Sequence, residues 1–262
     1  MTDLNITTIQ THLYWENVDA NLSHFSNKIN AIQNHTDIIV LPEMFTTGFT
    51  MKPEVFAEEH GGKGLQWMIQ KAQEKNCVIA GSISVKENGL FYNRLYWVNS
   101  DGSYQIYNKR HLFRMGNEHN HYTAGDQKII INYKGWKICP LVCYDLRFPV
   151  WSRNTKDNTY DVLIYLANWP EVRSYPWKHL LIARAIENQT YVIGVNRIGE
   201  DGNHIKHSGD SVVLNPRGEI ISDIHSNSDA METTILSYQY LQDFRSVFPV
   251  MLDSDDFNIF GT

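Results

Sequence analysis

The chain reads as a layered α/β domain, a mixed β-sheet framework with helices packed outside it, and three observations predict this. Short runs rich in Ile and Val recur along the whole chain, several of them continuously apolar, as strands covered on both faces are. Amphipathic segments stepping by three and four residues fall between those runs. The 262 residues, 42% hydrophobic and 20% charged, contain no Gly/Ser-rich linker, low-complexity tract or repeat. One domain spanning residues 1–262 is therefore expected.

The elements follow in order. Asn5–Gln10 is the first strand candidate. Val18, Leu22, Phe25, Ile29 and Ile32 then place one apolar stripe on a helix from about Asn17 to Gln33. Asp37–Leu41 is the next strand. Leu65, Met68, Ile69 and Ala72 share one face of a second helix, ending near Lys75. Cys77–Val85 and Phe91–Val98 flank Asn88–Gly89, a dipeptide suited to a tight hairpin, and Asp101–Gly102 marks another turn. Trp136–Val142 and Asp161–Ala167 are apolar strands. A third helix begins near Pro176, a favoured first-turn residue, and runs through HLLIARAIENQ. Tyr191–Asn196 and Ser211–Leu214 complete the strands, with Arg217–Gly218 as a closing turn.

Composition narrows the class of function. A net charge of −6 gives no electrostatic case for nucleic acid or an anionic membrane. No apolar run approaches a membrane span, and the opening MTDLNITTIQ lacks the basic and apolar regions of a signal peptide. Cys77, Cys139 and Cys143 show no paired spacing, so a disulfide framework is not expected and a reduced, cytoplasmic setting is.

In layered α/β folds, sites gather where strands end and the chain leaves the core. Three reactive side chains hold such positions: Glu43 after IIVLP, Lys109 after SYQIYN, and Cys143 after WKICPLV. Each has an ordinary alternative, as a solvated carboxylate, a basic turn or an apolar core thiol. Cys139 and Cys77 suit the last description. Cys143 differs because Tyr144, Asp145 and Arg147 follow it and mark an exit into polar surroundings. Together the three make a nucleophilic device. Glu43 takes the thiol proton, while Lys109 and a backbone N–H at the turn, that of Tyr144, hold an oxyanion.

LPEMFTTGF around Glu43, YNKRHLF around Lys109 and CYDLRFP around Cys143 resemble the Glu-Lys-Cys triad of the nitrilase superfamily of carbon–nitrogen hydrolases. The resemblance extends through ANWPEVRSYPWKHLLIARAIENQTYVIGVNRIG and HSGDSVVLNPRGEI and covers nearly the whole chain. It implies a four-layer αββα sandwich, a second glutamate at Glu118 in GNEHNHYTAG that orients Lys109 or the substrate amide, no metal or organic cofactor, and a homodimer or higher homo-oligomer built through outer helices. True nitrilases usually carry Cys-Trp-Glu; here Cys143-Tyr144-Asp145 points away from nitriles. CYDLRFPVWSRN with NWPEVR is similar to the omega-amidases, which release ammonia from the terminal amide of 2-oxoglutaramate or 2-oxosuccinamate. Deaminated glutathione is the nearest rival substrate. Such a site needs a cation opposite the distal carboxylate, with Arg147 and Arg173 as candidates and Asn168 and Trp169 as pocket walls. The alternative for either arginine is a structural salt bridge, for instance Arg147 with Asp145 or Glu171.

Three other readings carry less. His111, His119 and His121 lie close together, but no cysteine or carboxylate cluster with zinc-like spacing accompanies them. Ser82 and Ser211 lie in strand contexts without a Gly-x-Ser-x-Gly elbow. A non-catalytic binding module would leave Cys143 inert, and exposed Phe148 and Trp151 would suit a dimer face or the core equally well.

Overall fold

The computed structural model describes residues 2–156 and 158–259. Its strands are β1 (Leu4–Gln10), β2 (Ile38–Val40), β3 (Glu58–Glu59), β4 (Val78–Glu87), β5 (Leu90–Val98), β6 (Tyr104–Asn108), β7 (Ile131–Tyr133), β8 (Trp136–Val142), β9 (Val162–Ala167), β10 (Tyr191–Asn196), β11 (Ile198–Glu200), β12 (Lys206–Ser208), β13 (Val212–Leu214) and β14 (Ala230–Leu236). Its helices are α1 (Val18–Asn30), α2 (Pro53–Phe56), α3 (Lys63–Lys75), α4 (Pro149–Ser152), α5 (Ser174–Asn188) and α6 (Tyr238–Val247).

Two mixed sheets result. One runs β14-β1-β2-β4-β5-β6, with β3 added beside β4, and the other runs β13-β10-β9-β8-β7. In each, the central strands are parallel (β1, β2 and β4; β8, β9 and β10) and antiparallel strands flank them. Side-chain alternation divides the first sheet cleanly. Ile38 and Val40, Val78 and Ala80, and Leu95 and Trp97 face the second sheet in one core with Leu141, Ile164 and Val192. Their neighbours Ile39, Ile79 and Tyr96 face outward and join Leu22, Phe25 and Ile29 of α1 and Leu65, Met68 and Ala72 of α3. Trp177, Leu181 and Ala185 of α5 and Leu241 of α6 cover the second sheet. The architecture is the αββα sandwich.

The central strands match their sequence-based bounds closely, and Trp136–Val142 and Tyr191–Asn196 coincide with them. Asn88–Gly89 joins β4 to β5 with φ of 51° and 79°, the left-handed pair that a two-residue hairpin turn requires. Helix α1 stops at Asn30 rather than Gln33, because Ala31 and Ile32 close its last turn onto Asn27 and Ile29 carbonyls. The sequence reading lacked β3, β7, β11, β12, β14, α6 and the four-residue helices, and it carried β6 only as the short alternation before Lys109. The missed elements are short or peripheral segments with one wet face: β14 buries two of its seven residues, and α6 buries Leu241 alone.

Candidate active site

Glu43, Lys109, Glu118 and Cys143, drawn from four separate segments, meet between the two sheets. Glu43 follows β2 and is fully buried; Met44 beside it has φ of 43° and its N–H is held by Ser82 Oγ at 2.8 Å. Lys109 follows β6, whose pairing with β5 brings the Lys109 N–H to the Asn93 carbonyl at 2.9 Å. Cys143 ends β8 and opens a tight turn with φ of 45°, in the left-handed region that a non-glycine residue enters only when its surroundings impose it. Asp145 imposes it here. One carboxylate oxygen accepts the Val142 N–H and the Tyr107 hydroxyl; the other accepts the His111 N–H and lies 2.8 Å from His111 Nδ1.

Lys109 Nζ donates to Glu43 Oε1 at 2.8 Å and to Glu118 Oε2 at 2.9 Å. Asn93 Nδ2 bridges the same two carboxylates, reaching Glu43 Oε1 at 2.7 Å and Glu118 Oε1 at 3.1 Å. Glu118 is steadied further by the Phe113 N–H at 2.6 Å, so its oxygens are turned on Lys109. Glu43 Oε2 takes one donor from the other sheet, the Asn168 N–H at 2.8 Å. Glu43 thus has one oxygen committed to Lys109 and Asn93 and a second facing Asn168.

Burial alone would push the Lys109 ammonium down, but the Glu118 and Glu43 carboxylates outweigh it and hold its pKa above the ordinary lysine value. Burial raises the Glu118 carboxyl against the pull of Lys109. The Cys143 thiol is pushed well above 9 by burial, by the charge of Glu43 and by a hydrogen bond to that carboxylate, with Lys109 pulling the other way. These influences favour the neutral thiol, with the Glu43 carboxylate hydrogen-bonded to it. Cys139 is fully buried in the core, its thiol pushed up to about 12, and Cys77 is likewise buried.

Cys143 opens onto a cavity of about 450 Å³. Phe49, Phe113 and Trp169 form its apolar walls, and Tyr144 and Asn168 flank the thiol. Arg147 and Arg173 line it too. Arg147 lies 5.1 Å over the Trp169 ring and Arg173 lies 5.4 Å over Phe113. Neither has a carboxylate partner among the described residues. The salt bridge from Arg147 to Asp145 is not formed, because Asp145 is taken by Tyr107, Val142 and His111. One wall was not foreseen: Asp201, Asn203, Ile205 and His207, alternate residues of the β11–β12 hairpin, line the same cavity. Asn93 also escaped the sequence reading, since a mid-strand asparagine gives no sign of which charges it faces.

The other readings lose their residues to structural tasks. His111 is bound to Asp145 and stacked on Phe148 at 3.8 Å, and among the described residues no three His, Cys, Asp or Glu side chains gather as a metal would need. Ser82 and Ser211 are tied to the backbone of Met44 and Asn196. Trp151 is core, donating to the Tyr107 hydroxyl at 3.0 Å.

Comparison with known proteins decides the family: the family model for carbon–nitrogen hydrolases matches residues 5–245. This chain belongs to the carbon–nitrogen hydrolase family. The hydrolase is 46% identical over 259 residues to the omega-amidase YafV of Escherichia coli K12, covering 99% of this chain and 100% of that one. It is 33% identical to the 2-oxoglutaramate amidase of Bacillus subtilis, over 83% of this chain and 85% of the relative. Its fold matches the crystal structure of XC1258 from Xanthomonas campestris, a CN-hydrolase superfamily protein with an arsenic adduct in its active site. The TM-score is 0.96 at 39% identity, with coverage of 99% and 100%. No helix among the described residues is long and apolar enough to cross a membrane.

Proposed function

We propose that this hydrolase is an omega-amidase of a single domain. It would release ammonia from the terminal amide of a short 2-oxo dicarboxylic acid monoamide, 2-oxoglutaramate or 2-oxosuccinamate, with water as the second substrate. The observation that carries this reading is the pair of carboxylate-free guanidiniums, Arg147 and Arg173, in the cavity that holds Cys143. A planar, always-charged fork suits a distal carboxylate, and aromatic stacking fixes each fork in place. The names of the Escherichia coli and Bacillus subtilis relatives support the same substrate class.

The reaction proceeds by acyl transfer. Glu43 takes the Cys143 proton as the sulfur attacks the amide carbon, which matches a thiol that is neutral until substrate arrives. Lys109 and the Tyr144 N–H stabilise the oxyanion. The carbon–nitrogen bond breaks, the nitrogen leaves as ammonia with the proton held by Glu43, and a thioester remains. Glu43 then takes a proton from water, whose oxygen attacks the thioester. Collapse expels the sulfur, which regains its proton, and the carboxylic acid leaves. Glu118 keeps Lys109 charged and aimed. The working form is a cytoplasmic homodimer, a reading supported by exposed Tyr175 and Ile186 on α5.

Ammonia release from 2-oxoglutaramate, glutamine, deaminated glutathione and a simple nitrile, measured side by side, tests the assignment. 2-Oxoglutaramate is expected to be turned over fastest and Cys143→Ala to abolish turnover. Strong hydrolysis of the nitrile alone, or an active Cys143→Ala protein, would overturn it.

A further inference from the structure

Asn168 carries a buried acceptor with no partner in the cavity that holds Cys143. It ends β9, is 5% exposed and lines the cavity with Cys143. Its orientation is set by its neighbours: Nδ2 donates to the Glu43 carbonyl oxygen, which can accept but not donate, so the amide cannot be flipped. Its N–H donates to Glu43 Oε2. Its Oδ1 is buried and has no hydrogen-bond partner. A buried acceptor left unmatched is costly, and such a group in a reactive cavity calls for a donor that arrives with the ligand.

Geometry restricts what that donor is. Glu43 Oε1 is committed to Lys109 and Asn93, which leaves Oε2 to exchange protons with the thiol and the departing nitrogen. A nitrogen placed against Oε2 lies beside the residue whose N–H binds that same oxygen. We infer that Asn168 Oδ1 accepts one N–H of the scissile carboxamide, so that the site reads the –NH2 group itself and turns the nitrogen toward the proton on Glu43. The inference rests on the amidase reading above. It adds a second specificity element to the arginines: they select the far end of the substrate, and Asn168 selects an amide over an acyl group that lacks N–H.

The test compares 2-oxoglutaramate with the ω-methyl ester of 2-oxoglutarate, which forms the same thioester, is the more reactive acyl donor and has no N–H to offer. Asn168→Ala is expected to lower kcat/KM for the amide about 10-fold or more beyond whatever it costs the ester, which shares the loss of the Asn168 Nδ2 bond to the Glu43 carbonyl. Retained ester turnover shows in the same assay that the variant is folded. Asn168→Ser, which keeps a hydroxyl toward the Glu43 carbonyl, carries the comparison if the alanine protein is insoluble. Equal loss on both substrates, or loss of ester hydrolysis in both variants, would show that Asn168 serves the fold or the placement of Glu43 and would overturn the inference. Failure of the amidase reading looks different: the unmodified protein would release no ammonia.

Discussion

Cys139 and Cys143 lie four residues apart on one strand and its exit, and both thiols are raised by burial, but their surroundings differ in kind. Around Cys139 there is packing; around Cys143 there is a carboxylate that can take the proton and an ammonium that can stabilise what remains. Alkylation by iodoacetamide should therefore be slow at pH 7 and climb with pH to 9 and beyond, because the thiolate fraction grows only as pH nears a pKa above 9. A rate already at its plateau near pH 6 would contradict this. The arginines give a second test. Arg147→Gln and Arg173→Gln should each raise KM for 2-oxoglutaramate about 10-fold or more, while butyramide, which has no carboxylate, should be turned over as before. Glu43 and Cys143 were legible because a reactive residue closing an apolar run stands out, and Lys109 because it closes a short apolar–polar alternation. Glu118 was reached through a resemblance alone, and Asn93 not at all, since the β5–β6 register that brings it beside Lys109 belongs to two strands jointly.

At the scale of elements, buried strands announced themselves and edges did not. β9 is buried along its whole length, and VLIYLA needs no partner to be recognised. The β11–β12 hairpin carries its pocket-facing residues at 201, 203, 205 and 207, an alternation that mixes Asp, Asn, Ile and His and so has no hydrophobic period. The loop behind Lys109 is a further case. Gly125 donates its N–H to the Lys109 carbonyl at 2.9 Å, and a Cβ there would lie 2.1 Å from the Asn108 carbonyl oxygen. Backbone cannot swing aside as a side chain does. Gly125→Ala should destabilise the protein by about 1–3 kcal/mol, roughly 3–8 °C in melting temperature, with activity falling further than stability because the displaced strand end carries Lys109. Calorimetry and turnover on the same sample check both.

At the scale of the whole molecule, one acid response comes from His207, which is 3% exposed. Burial, helped by the charge of Arg197, lowers its pKa from 6.5 to about 4. The unfolded chain thus takes up this proton first as pH falls, so the contribution of His207 to stability is full above 6.5 and declines between 6.5 and 4. The decline is about 3 kcal/mol at roughly 1.4 kcal/mol per pH unit. Urea unfolding at pH 7 and pH 5 should show it, and His207→Gln should flatten the difference whatever it does to stability at pH 7.

Glu43, Asn93 and Lys109 hang from one sheet; Cys143 and Asn168 hang from the other. The groups proposed to react are thus halves of a vice whose jaws are joined by apolar contacts, which resist separation better than they resist sliding. A slip of about 1 Å along that seam would leave nearly every backbone hydrogen bond intact and still cost on the order of 100-fold in rate. Heat or pressure should accordingly silence this hydrolase while its circular dichroism is still that of a folded protein. Its catalytic activity is a finer gauge of how the two sheets are seated than any measure of how much sheet there is.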